Sequence, residues 1–223
     1  MIIGIVAVAL LFGIYVVLDQ GLKEKSGLNK NATSTTTNID GTDIKTDGTG
    51  GYTIEQVPLE SGAPQPIPDL NRPVHPAGSA TVSNEAIVRA TEKILPLQET
   101  LKKNPLNFYA WLDLGIYQKM AGDYEGSSIS WQYASKIAPN DFISLGNLGN
   151  LYAYFLNDKV RAENYYKQAI VKGPTQSILY YQLAEVYMYL FNDKAKALAT
   201  IDQGLSHIPN DASLLQLKVS FSK

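Results

Sequence analysis

Bond-making chemistry needs nucleophiles, acid–base pairs or metal ligands brought together, and this sequence is sparse in all three. Its 223 residues include no cysteine and two histidines, His75 and His207, which stand in different segments. Thiolate nucleophiles, disulfides and cysteine metal sites are therefore excluded. Neither histidine lies near a serine-nucleophile motif, and no glycine-rich phosphate loop follows a strand pattern. The 19 Lys and Arg and 21 Asp and Glu fall at helical spacings, as on solvated faces, and none cluster at metal-ligand spacing. No catalytic activity, cofactor, metal or small-molecule substrate is expected. A formal charge of -2 carries no basic excess that would point to nucleic acid.

What does recur is a framework of apolar and small residues. Pro105, Pro139, Pro174 and Pro209 divide the chain into spans of 34, 35 and 35 residues. The first half of each span reads Trp111-x2-Leu114-Gly115, Leu145-x2-Leu148-Gly149-x2-Tyr152 and Tyr180-x2-Leu183-Ala184-x2-Tyr187. Those offsets form one stripe of an α-helix. The second half reads Ser127-x3-Trp131-x2-Ala134-x4-Pro139, Ala162-x3-Tyr166-x2-Ala169-x4-Pro174 and Ala197-x3-Ile201-x2-Gly204-x4-Pro209. That is a second helix with one apolar face. The small residues Gly115, Gly149 and Ala184 let the paired helices approach closely. Period and pattern together predict a stacked array of helix pairs.

From Asn107 to about Pro209 the chain resembles the tetratricopeptide repeat, whose period and signature these spans match. It departs from the pattern at Tyr117-Gln118, where the tyrosine falls one place early. Copies two and three carry one extra residue in the interhelix turn, at Phe155-Leu156-Asn157-Asp158 and Leu190-Phe191-Asn192-Asp193. The resemblance implies an all-α right-handed superhelix whose inner wall is built from the first helix of each pair. It assigns that wall to Tyr109, Leu112, Asp113, Ile116, Lys119 and Met120 in the first copy. The second copy supplies Ile143, Gly146, Asn147, Asn150, Ala153 and Tyr154, and the third Ile178, Tyr181, Gln182, Glu185, Met188 and Tyr189. Of these, Tyr109, Leu112, Asp113, Ile116, Asn147, Asn150, Tyr154, Tyr181, Gln182, Glu185 and Met188 are the candidate contacts for a bound protein or peptide. Tyrosine and methionine offer area with adaptable contacts, and asparagine can hydrogen-bond a backbone. One subtype of the family clamps terminal carboxylates with lysine and arginine. Here Leu112, Ile178 and Gln182 stand where that charge is needed, which disfavours such a ligand.

Around the repeats the chain divides as follows. Residues 1–18 are uncharged and apolar, about 27 Å long as a helix, at the lower end for a single membrane span. No basic residue precedes them and no small-x-small site precedes Asp19, so an uncleaved anchor is expected over its rival, a cleaved secretory signal. Lys23, Lys25 and Lys30 favour a cytoplasmic repeat domain. The Ser/Thr/Gly-rich stalk that follows favours the extracytoplasmic side, which is the side expected for the repeats. Residues 19–82 read as a flexible linker, proline-rich in its second half, with Leu70 to Pro76 able to lie against the first helices.

The repeat domain is placed at 83–223. A leading helix spans 83–103, with Ser83 as N-cap and Pro96 expected to kink or split it. Repeats follow at 107–140, 141–175 and 176–210, with helix N-termini at Asp123, Asp158 and Asp193, and a capping helix spans 211–221. The function this implies is a membrane-tethered, non-catalytic scaffold that binds protein along its concave wall. The alternative is a structural or self-assembling cell-envelope component without a peptide groove.

Overall fold

The computed structural model describes residues 36–39, 42–46, 52–56, 66–78 and 80–223. The expected anchor at 1–18 lies outside the described residues. From residue 66 onward the protein is all-α. Eight α-helices run in order: α1 (Asn84–Lys103), α2 (Phe108–Met120), α3 (Tyr124–Ile137), α4 (Ile143–Tyr154), α5 (Lys159–Lys172), α6 (Ser177–Glu185), α7 (Lys194–His207) and α8 (Ala212–Ser222). Each packs on the next in sequence, and α6 also touches α8. The three predicted hairpins are thus α2–α3, α4–α5 and α6–α7.

Their packing repeats from copy to copy. Leu114, Leu148 and Leu183 are all buried at 2% exposure or less. Behind each sits the small residue that the sequence pattern requires. A Cβ added at Gly115 would collide with the Trp131 indole, and one at Gly149 would stand 2.8 Å from the Tyr166 ring. Trp131, Tyr166 and Ile201 fill equivalent places with at most 1% exposure. A polar contact recurs as well. The Trp111 indole donates to the Pro105 carbonyl at 2.8 Å, and the Tyr180 hydroxyl donates to the Pro174 carbonyl at 2.9 Å, each six residues back. The side chains of Asp123, Asp158, Asp193 and Asp211 each accept the backbone N–H three residues on, at 2.9–3.0 Å, and so cap α3, α5, α7 and α8.

The extra turn residues of copies two and three are absorbed by widening the end of the first helix. Asp158 N–H donates to the Tyr152 carbonyl and Asp193 N–H to the Tyr187 carbonyl, six residues back in both cases. Val186–Leu190 form a π-helical turn that continues α6. Asn157 and Asn192 close these turns in the left-handed region, at φ 54° and 55°. Asparagine tolerates that conformation; a β-branched residue does not. Asn157→Val is therefore expected to cost about 1–2 kcal/mol in urea unfolding, with Asn157→Gly close to neutral.

Three expectations are corrected. First, α1 runs through Pro96 unbroken. Leu95 and Pro96 face solvent, where water can satisfy the groups that the proline leaves unpaired, and the Thr100 hydroxyl bonds the Pro96 carbonyl at 2.9 Å. Second, the stretch read as linker contains a strand meander, β1 (Thr36–Ile39), β2 (Thr42–Thr46) and β3 (Tyr52–Gln56). It is antiparallel, with Ile39 opposite Thr42 and Ile44 opposite Ile54. The segments are rich in β-branched residues, and Asp40-Gly41, a pair favoured in hairpin turns, stands between the first two.

Third, residues 66–82 belong to the helical unit rather than to a linker. Leu70, Val74, Ala77 and Ala80 pack on the core. The Arg72 guanidinium bonds both oxygens of Asp123, at the start of α3, and reaches Glu125 at 3.1 Å. The Gln98 amide of α1 donates to the Arg72 carbonyl at 3.0 Å, and Ala77 N–H donates to the Gly122 carbonyl at 2.9 Å. The helical unit thus includes described residues ahead of 83, from 66 onward.

Candidate functional site

The first helices of the hairpins, α2, α4 and α6, carry the predicted wall residues. Tyr109, Asp113 and Ile116 are exposed on α2, with Met120 at 55% continuing the row. Ile143 and Ile178 are exposed on α4 and α6. Asn147, Asn150, Tyr154, Tyr181, Gln182, Glu185 and Met188 are half-buried. Leu112 is the exception and a correction. It is 6% exposed within the core. Its counterpart in the second copy, Gly146, lies on the seam between α4 and α6, where an added Cβ would stand 3.1 Å from Leu179. An aliphatic side chain at this place is drawn into the seam instead of staying available. Gly146 and Ala153 are buried too.

A cleft of about 540 Å³ opens between α6 and α8. Ile178, Tyr181, Glu185 and Tyr189 line one side; Ser213, Gln216, Leu217 and Ser220 line the other. None of the α8 residues was among the expected contacts, because 211–221 was expected only to cap the last pair as a partial fourth unit. The signal was present: adding the 35-residue period to 178, 181 and 185 gives 213, 216 and 220. The helix α8 thus stands where the first helix of a fourth unit would, and it extends the wall.

Polar groups gather along the α4–α6 part of this face. The Tyr181 hydroxyl and the Glu185 carboxylate influence one another's titration across the same cleft. Burial pushes the Glu185 carboxyl above the ordinary range, with Tyr181 pulling the other way. Burial also pushes the Tyr154 hydroxyl up to about 12, with the Glu185 charge adding to it. The Tyr166 hydroxyl is fully buried without a well-formed hydrogen bond. Burial, Tyr154 and Glu185 suppress its ionisation, and Asn150 works the other way. At the other end of the wall, Lys119 lies over the rings of Trp131 and Phe155, 5.7 and 5.4 Å from their centroids. Burial lowers its pKa. Its methylene stem covers apolar surface, as long cationic side chains do.

Glu185 supports a stability prediction. Its folded-state pKa is raised, so its negative charge works against folding. That cost is full above the raised value and absent below the ordinary glutamate range, where folded and unfolded chains both hold the proton. Glu185→Gln should raise the thermal midpoint at neutral pH, and the gain should vanish as the pH falls through that window. Thermal melts of both proteins along a pH series check it.

Among the described residues no group of three His, Asp or Glu is placed to hold a metal ion, and His75 and His207 lie on the 66–82 strap and in the last turn of α7. His207 stacks on the Tyr180 ring at 6.1 Å. No described helix is long and apolar enough to cross a membrane. In comparisons with known proteins, no family model and no curated protein matches the chain.

Proposed function

We infer that this protein is a membrane-tethered scaffold of the tetratricopeptide type, which binds an extended protein segment along the face formed by α2, α4, α6 and α8. The observation that carries this reading is the alignment of like positions. Residues one period apart line the same cleft, from Ile178, Tyr181 and Glu185 to Ser213, Gln216 and Ser220. Stacked hairpins of this kind wind into a superhelix with a continuous inner surface. Half-buried tyrosines and asparagines on it supply rigid contact area and adaptable hydrogen bonds. Tethering through residues 1–18 would hold that surface near a membrane, on the extracytoplasmic side.

The test joins Asn150→Ala with Tyr181→Ala in the full chain. Capture of partners by crosslinking from intact cells should fall at least tenfold while the helical signal and thermal midpoint stay near wild type. Undiminished capture would remove the groove from the reading. A second reading is self-assembly. It is favoured by α8, the last helix, whose Leu215 and Val219 are 44% and 61% exposed. Light scattering separates the two, because assembly requires a mass that grows with concentration and a groove does not.

A further inference from the structure

The α6–α8 cleft holds one charged side chain, Glu185; the rest of its lining is tyrosine, serine, glutamine and two aliphatic residues. This carboxylate is half-buried, and among the described residues no lysine or arginine forms an ion pair with it. The two fully buried carboxylates of the helical unit are treated otherwise. Asp123 is held by Arg72, and Glu163 by Lys167 at 2.8 Å and by the Tyr187 hydroxyl at 2.5 Å. On α8, Lys218 is engaged by Asp202 at 2.6 Å rather than by Glu185. Shielding a carboxylate from water without a counter-ion is costly, and a bound segment would shield this one further. A neutral ligand would leave that cost standing and an acidic one would add to it. A cationic group would remove it.

The rest of the lining suits a cation. The faces of Tyr181 and Tyr189 can hold an ammonium or guanidinium, whose attraction to an aromatic ring strengthens as water is excluded. Ser213, Gln216 and Ser220 provide oxygen acceptors for the N–H groups that the carboxylate does not reach. We propose that this cleft receives a lysine or arginine side chain of the bound protein segment, with Glu185 as its counter-ion and Tyr181 and Tyr189 as its walls. The proposal rests on the groove reading above and adds the charge of the ligand to it.

The probe is a display library of random dodecapeptides, panned on the full chain in detergent micelles. Captured peptides should be enriched in lysine or arginine at one position. Replacing that residue by norleucine in a synthetic copy should weaken binding at least tenfold. Glu185→Gln, expected to fold at least as stably as wild type, should weaken the basic peptide by a similar factor and the norleucine peptide little. Captured peptides that depend on Asn150 and Tyr181 but show no basic preference, or an affinity that Glu185→Gln leaves unchanged, would overturn the proposal and leave the groove standing. Capture of no peptide would remove both. A concentration-dependent dimer lost on Glu185→Gln would give the cleft to a second copy. A carbodiimide crosslink from Glu185 to Lys23, Lys25 or Lys30 would give it to this chain's own N-terminal segment. Either result overturns the partner assignment.

Discussion

Replacing Asp123 by alanine is expected to cost about 3–5 kcal/mol of stability, the range found when one member of a buried ion pair is removed. The side chain is 0% exposed and its Arg72 partner 17%. Asp123 does two jobs at once. Its Oδ1 caps α3 by accepting Gly126 N–H at 3.0 Å, and both its oxygens hold the guanidinium that fastens the 66–82 strap. Loss of the cap alone is worth about 1 kcal/mol. The remainder comes from a shielded guanidinium left with only the exposed Glu125 beside it. Glu125→Ala is the matched control: its side chain is 78% exposed, and less than 1 kcal/mol should be lost. Urea unfolding of the full chain measures both variants. A deletion of residues 1–65 should leave the helical unit's stability unchanged, whereas a deletion of 1–82 should lower it about as much as Asp123→Ala does. A loss below 1 kcal/mol for Asp123→Ala would mean that the strap is not fastened to α3.

The contrast between that strap and the hairpins shows what could be read from the chain. Every hairpin feature that was legible is local. Gly115 and Gly149 stand where the paired helix brings Trp131 and Tyr166, within one span; Asp158 and Asp193 cap helices one residue away. Periodicity reveals such features because each copy repeats the same short-range solution. The strap depends on Arg72 meeting a residue 51 positions away, and nothing near residue 72 repeats to announce it. Its prolines suggested a spacer in which Leu70 to Pro76 could lie against the first helices, and Leu70 and Val74 do pack on the core; the Arg72–Asp123 pair that fastens it was not readable. The position of Leu112 was illegible for a related reason. Whether a wall residue stays open depends on the neighbouring helix, and the seam facing Gly146 in the second copy closes over a leucine in the first. For α8 the period was legible, and only its reading as a cap hid Ser213, Gln216 and Ser220. Glu185 was found as a position on the wall, but that no described cation pairs with it depends on how distant segments pack. Only the arrangement of Lys218 with Asp202, and of Lys167 with Glu163, makes it visible.

Trp131→Ala should cost about 3–5 kcal/mol, the range for truncating a buried tryptophan. The ring is 1% exposed and fills the space that Gly115 leaves open between α2 and α3. Its indole N–H donates to the Leu112 carbonyl of α2 at 3.0 Å, a tie between the two helices that the truncation removes. The second copy has a tyrosine at the same place, Tyr166, fully buried against Gly149. Trp131→Tyr should therefore recover more than half of the loss, which a generic core position would not predict. The effect should also be uneven along the chain. In a stacked array each unit leans only on its neighbours, so amide exchange should accelerate through α1, α2 and α3 well before α6, α7 and α8. Equal acceleration in all eight helices would argue for one cooperative bundle instead of an array. Lys119 supplies an independent readout of the same substitution. Its pKa is held down because the Trp131 and Phe155 rings help keep water from it. Opening that cover should let the ammonium rehydrate, and its pKa, followed by NMR, should rise toward the ordinary lysine value even where the variant stays folded.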